Sequence, residues 1–212
     1  MKRLVLAFFL SGLLVVALTG CGENGMKDPR DGKKYKTVKI GDQTWMAENL
    51  NYKMEYSYCY EEEEANCAKY GRLYLWFAAL EACPAGWHLP SKEEIEELLK
   101  TVGAEQTVIE KHITWIGAAK KLKSAKGWKK HKDKKGNGKD AFGFTALPAG
   151  GMREDMDHNV SYFNKGTDAY FWSSTEYGEF CAYYMRLGNR NGNGSLPSFS
   201  RFDGFSVRCL KD

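Results

Sequence analysis

Apolar residues are densest at the start of the chain and follow quite different rhythms after it. Leu4 to Leu18 is an uncharged apolar run behind Lys2 and Arg3. It is shorter than the roughly 20 residues of a bilayer-spanning helix and has the layout of an export signal. Further on, Tyr35, Thr37 and Val38 to Ile40, then Gln43 to Met46, form two strand-like runs around Gly41-Asp42. That arrangement predicts a tight hairpin. In RLYLWFAALEAC, residues 72–83, Leu73, Trp76, Phe77 and Leu80 recur at helical spacing. The spacing predicts a helix with that stripe buried, ended by Pro84-Ala85-Gly86. Ser91 opens a second helix: Ser91 and Glu94 have capping-box spacing, and Ile95, Leu98, Leu99 and Val102 form its apolar stripe. Glu93, Glu94, Glu96 and Glu97 crowd the dipole's positive end, and Gly103 is the expected stop. After Asp140 the chain changes to short aromatic or β-branched runs broken by glycine, such as AYFWSSTEYG and FDGFSVRCL. These read as strands joined by loops. Helices early and strands late predict an α+β domain, and no repeat suggests a solenoid.

Composition narrows this picture. At 43% hydrophobic and 27% charged residues over 212 positions, the chain is not wholly disordered and has room for one domain with an appendage. The apolar run ends in Leu18-Thr19-Gly20-Cys21, which resembles a bacterial lipobox. An ordinary signal peptide, or a membrane anchor followed by a chance cysteine, is the alternative. The lipobox reading makes 1–20 a lipoprotein signal peptide, Cys21 the lipidated N-terminus, 21–30 a polar tether and 31–212 the domain. The protein is then expected to be held by lipid at a bacterial cell-envelope membrane, the outer membrane, and export makes nucleic acid an unsuitable partner. Discarding Lys2 and Arg3 lowers the formal charge from +4 to +2.

Lipidation also changes the cysteine count. With Cys21 acylated, five of the six cysteines remain, and two bridges among five allow 15 patterns. Cys59–Cys67 is the local candidate, closing an exposed loop around the Glu61–Glu64 run. Cys83–Cys209 would join the first helix to the final strand. Cys181 is then left as a free, buried and unreactive thiol.

Residues 120–139 hold ten lysines against Asp133 alone. Trp128 with Lys129 and Lys130 is a candidate polyanion surface, and a solvated loop is the bland alternative. Tyr56, Tyr58 and Tyr60 alternate, so on a strand they would share one face, as a sugar-stacking platform or as core. The histidines lack metal-ligand spacing, and His88 reads as structural. Glu154, Asp155, Asp157 and His158 could face a cation but lack the glycine and bidentate glutamate of a calcium loop. No metal and no cofactor is expected.

Seven blocks in order, DGKKYKTVKIGDQTWMAENLNY, CAKYGRLYLW, CPAGWHLPSKEEIEELL, AAKKLKSAKGW, GFTALPAGG, FWSST and FSVRC, resemble the Fibrobacter succinogenes major paralogous domain. The resemblance covers about residues 31–212 and implies a secreted or lipid-anchored surface protein without a settled activity. More distantly, Trp76, Cys83, Gly86, Leu89, Ser91 and Leu98 resemble the helices of C-type lectin-like domains. That likeness implies two helices on a twisted antiparallel sheet with long irregular loops, and a helical cysteine paired with one in the last strand. EPN, QPD and WND triplets, which hold calcium and sugar in such domains, are absent from the sequence. The expected function is non-catalytic binding of carbohydrate or an envelope protein. The alternatives are a purely structural envelope protein, or an enzyme acting on polysaccharide. The enzyme would need two carboxylates, from Glu48, Asp140, Asp168, Glu176 or Asp203, about 5–9 Å apart.

Overall fold

The computed structural model describes residues 25–109, 112–155 and 159–212. The expected export signal and Cys21 lie outside them, as do Asp157 and His158 of the candidate cation loop. In chain order the elements are β1 (Gly25–Lys27), β2 (Lys34–Ile40), β3 (Gln43–Met46), β4 (Ser57–Tyr58), α1 (Glu64–Tyr70), β5 (Leu73–Leu75), α2 (Trp76–Ala82), β6 (Trp87–His88) and α3 (Lys92–Thr101). They continue with β7 (Glu105–Ile109), β8 (His112–Ile116), α4 (Ala118–Leu122), β9 (Gly151–Glu154), β10 (Val160–Phe163), β11 (Asp168–Tyr177) and β12 (Cys181–Gly188). β13 (Gly194–Ser195), β14 (Ser198–Ser200), β15 (Asp203–Ser206) and β16 (Leu210–Lys211) complete the chain. A small sheet runs β1-β2-β3-β16-β6, and a large one runs β10-β9-β15-β11-β12-β13-β8-β7. The fold is mixed α+β. It departs from a purely antiparallel sheet where β11 and β15 pair in parallel through Phe171 and Ser206, and its described helices are four short ones rather than two.

Local signals formed as their chemistry dictates. Ile40 faces Gln43 across the Gly41-Asp42 turn, with Gly41 at φ +62°. Ser91 accepts from the Glu94 amide while the Glu94 carboxylate accepts from the Ser91 amide, so two unpaired helix-end donors are satisfied at once. Ile95, Leu98, Leu99 and Val102 are buried beneath α3.

Segment 72–83 differs from its prediction. Leu73–Leu75 is a strand because β4 and β15 pair with it on both sides, and helix begins only at Trp76. The buried face of α2 is Trp76, Ala78, Ala79 and Ala82, whereas Phe77 and Leu80 are 39% and 42% exposed. Edge pairing supplied by distant chain outweighs a helical period that local sequence carries. The glutamate run is likewise not a plain loop. A turn at Tyr60–Glu62 leads into α1, and repulsion is relieved by Glu61–Lys165 at 2.7 Å and Glu64–Arg72 at 3.2 Å.

Residues 25–30, expected to be tether, pack into the fold. Gly25–Lys27 pairs with β2. Asp28 is fully buried and binds Arg30 at 2.7 Å, and Arg30 donates to the Ala82 carbonyl and stacks over Tyr52. Residues 25–30 are therefore part of the domain.

Aromatic residues fill the interior. The Phe205 ring centre lies 4.4 Å from Trp172, 4.8 Å from Tyr184 and 4.9 Å from Tyr170. The Cys83–Cys209 disulfide fastens the end of α2 to the segment before β16, and Cys59–Cys67 clamps the start of α1. Cys181 is the free thiol among the described cysteines, half-buried rather than buried, at the start of β12.

Candidate functional site

The candidate residues do not assemble into one surface. Tyr56 takes φ +57°, and a turn begins at Tyr60, so the strand alternation that would align three tyrosines covers only Ser57–Tyr58. Tyr56 is exposed against Phe77 at 4.7 Å, Tyr58 is half-buried, and Tyr60 is buried against Tyr162 at 5.1 Å. Trp128 is also buried: its indole N–H donates to Ser124 Oγ at 3.0 Å and the Ala146 carbonyl at 3.2 Å. Lys129 and Lys130 remain exposed beside it. The lysine-rich stretch folds over one of its own lysines. Lys123 is buried, donates to the carbonyls of Gly136 and Gly188 at 2.7 Å each, and sits 4.6 Å above the Trp128 ring. Burial pulls its ammonium pKa down to about 8. A methyl on Gly138 would fall 2.2 Å from the Lys123 carbonyl, so only glycine fits this close approach.

The candidate carboxylates are each engaged elsewhere. Glu48 accepts from the Lys36 amide, Asp140 from Thr145, Asp168 from Arg186, Glu176 from Arg201 and Asp203 from Arg153. Asp203 stands out: burial pushes its carboxyl up to about 6 against the pull of Arg153, and its Oδ2 has no hydrogen-bond partner. Asp155 is held in its own loop by Asn159. His88 bridges Asp212 at 2.6 Å and Glu94 at 3.0 Å. Burial works against its charge, but the two carboxylates outweigh it and raise its pKa. Among the described residues the cysteine-carboxylate group near metal-binding geometry is Cys59, Glu64 and Cys67, whose sulfurs are bonded to each other.

Sequence reasoning missed an exposed aromatic surface. Tyr177, Phe180 and Phe202 are 55%, 64% and 55% exposed at one end of the large sheet. Arg201 organises that end. Its Nε donates to the Cys181 carbonyl at 3.2 Å, one Nη to the Gly178 carbonyl at 3.0 Å, and its amide to the Phe180 carbonyl. Glu176 pairs with it at 3.1 Å, and its guanidinium lies 4.4 Å from the Trp76 ring centre. The Trp76 amide donates to the Arg201 carbonyl and the Leu75 amide to the Tyr56 carbonyl. The start of α2, with Phe77 and Tyr56, thus meets the β14–β15 turn, which the Arg201 side chain ties to the β11–β12 turn. The signal was available as phenylalanines in polar turn segments, EYGEF and SRFDG, where core packing does not call for them.

A family model, the Fibrobacter succinogenes major domain, matches residues 38–211. The chain belongs to this family. No curated protein and no solved structure matches it significantly. In this member of the Fibrobacter succinogenes major domain family, the sequence blocks that carry the likeness point inward. FWSST supplies Phe171 and Trp172, FSVRC supplies Phe205, Arg208 and Cys209, and GFTALPAGG supplies Phe144, all buried. The exposed aromatic end lies largely outside those blocks, in 176–180 and 199–202.

Proposed function

We propose that this is a lipid-anchored cell-envelope protein whose domain is a non-catalytic interaction module. The observation that carries the reading is the exposed aromatic end, with Tyr177, Phe180 and Phe202 fixed by Arg201. Burying such side chains on association yields about 1.5–3 kcal/mol each, and aromatic groups with arginine are the residue types that anchor protein interfaces. A phenylalanine-rich surface favours a protein partner. Carbohydrate stacking is the second reading, favoured by the edge-on pair Tyr177–Tyr183 with ring centres 5.3 Å apart. The separate engagement of the five candidate carboxylates supports binding over hydrolysis. A lectin-like arrangement is supported by the Cys83–Cys209 link between a helix end and the last strands, and envelope anchoring by the lipobox.

The test places a photo-crosslinking phenylalanine analogue at position 180 of the full chain in the producing cell, with Lys130 as the control position. A discrete protein adduct from 180, absent from 130 and lost in Phe202→Ala, supports the reading. Equal labelling from both positions overturns it. Binding on a glycan array that is lost with Phe180→Ala would establish the carbohydrate reading in place of the protein one.

A further inference from the structure

Folding begins close to the anchor. If Cys21 carries lipid, three residues separate it from Gly25, the first residue of β1. Four peptide steps span at most about 14 Å. The lipidated end of the chain sits at the membrane interface, so β1 is held within that distance of the lipid headgroups. A flexible ten-residue spacer would have allowed the domain to stand clear, but residues 25–30 are spent on the fold.

The surface held there has a definite character. A groove of about 440 Å³ runs along β1 and β2, lined by Met26, Lys27, Lys34, Tyr35, Lys36 and Glu48. Met26 and Tyr35, almost wholly buried, back it. Its rim is basic, with Lys27, Lys34 and Lys36 all exposed, against Glu48, whose Oε2 accepts from the Lys36 backbone amide. A smaller cavity sharing Lys34, Tyr35 and Glu48 adds Lys33 and Lys69. The β1–β2 turn carries two acids: Asp31 accepts from the Lys33 amide, and buried Asp28 is paired with Arg30.

We infer that the β1–β2 face, with Lys27, Lys34 and Lys36 around its groove, rests on the membrane and binds anionic phospholipid headgroups. The inference rests on the lipid-anchor reading and adds an orientation to it. Charge complementarity selects the occupant: lysines on long side chains reach phosphates while their apolar stems lie along the groove. Orientation then points other faces, among them the one bearing the partner, by geometry rather than by chance.

The full acylated chain, in a Cys181→Ser background, is labelled with an environment-sensitive fluorophore at Lys36→Cys or, separately, at Lys132→Cys. Each is reconstituted into vesicles of phosphatidylcholine alone or with phosphatidylglycerol, containing a headgroup-borne quencher. Each lysine near an anionic surface favours it about five-fold, so quenching at 36 is expected to be strong in the anionic vesicles and to fall by at least about half in neutral ones. Quenching at 132 is expected to be weak in both. Equal quenching at the two positions, or an unquenched label at 36 on protein that floats with the vesicles, overturns this inference while leaving the anchor standing. Protein that fails to float with the vesicles overturns the anchor and the inference together.

Discussion

Arg208 donates through Nε to the side-chain oxygen of Asn49 at 2.7 Å, across 159 residues of chain. Its other N–H groups reach the carbonyls of Met46, Phe144 and Thr145. Asn49 in turn donates to the Tyr70 carbonyl at 2.7 Å and to Ser206 Oγ at 3.1 Å. The guanidinium lies 4.7 Å from the Phe144 ring centre and 5.5 Å from that of Phe171. A fully buried cation is thus solvated by carbonyl dipoles and ring faces, and burial depresses its pKa. Four of the seven sequence blocks, its own included, meet at this one side chain.

Arg208→Met leaves those carbonyls and the Asn49 oxygen without a donor. Each buried polar group so orphaned costs about 1–3 kcal/mol, so a loss of at least about 3 kcal/mol is expected in urea unfolding. Arg208→Lys carries one point charge in place of a fork and is expected to recover only part of it. A midpoint unchanged in Arg208→Lys would show that the planar donor geometry is unimportant.

The two disulfides differ in what they restrain. Cys83 and Cys209 are 126 residues apart, Cys59 and Cys67 only 8. In the chain-entropy model the long loop contributes about 5 kcal/mol and the short one about 2.5 kcal/mol. The double variant Cys83→Ala/Cys209→Ala is expected to lower Tm more than Cys59→Ala/Cys67→Ala, as read by scanning calorimetry.

Asp203 opposes stability at neutral pH. Its folded pKa, about 6, lies above the ordinary 3.8, so its contribution is full at low pH and is lost as pH rises from 3.8 through about 6. Asp203→Asn keeps an acceptor for Arg153 and removes the buried charge. A stability profile flatter than wild type over that window is expected from Tm measured against pH. An identical slope in both proteins would mean Asp203 ionises freely.

His88 behaves likewise, at higher pH. Its pKa is raised above 6.5 by Asp212 and Glu94 once burial is overcome. Its ion pairs are fully present below 6.5 and are lost as pH rises through the folded value. Asp212→Asn is expected to bring the His88 titration, followed by its ring-proton NMR shifts, back toward 6.5. An unmoved titration would remove Asp212 from the account.

Arg201→Ala removes the donors to Gly178 and Cys181 while leaving the Phe180 and Phe202 side chains intact. Faster amide hydrogen exchange across 177–181 is expected, with little change in α3. If binding through the aromatic end depends on its fixed shape, this variant loses affinity without losing an aromatic group.

The sequence alone was decisive wherever the necessary chemistry lies within a few residues. The Ser91–Glu94 capping box, the Gly41-Asp42 turn and the strand-rich second half all need only near neighbours, and the seven blocks carry the family. Tertiary structure decided what depends on distant partners. Leu73–Leu75 became strand because β4 and β15 flank it, Trp128 is buried against Lys123, and Glu61 and Glu64 between Cys59 and Cys67 found cations. Arg208 has no partner within its own block, so neither its burial nor its role could be read locally. The exposed aromatic end exists because Arg201 joins two turns and the start of α2, segments far apart in the chain. Hydrogen-bond satisfaction is local at a helix cap, but for a buried guanidinium or a surface built from two turns and a helix start it is settled only when the whole chain has closed.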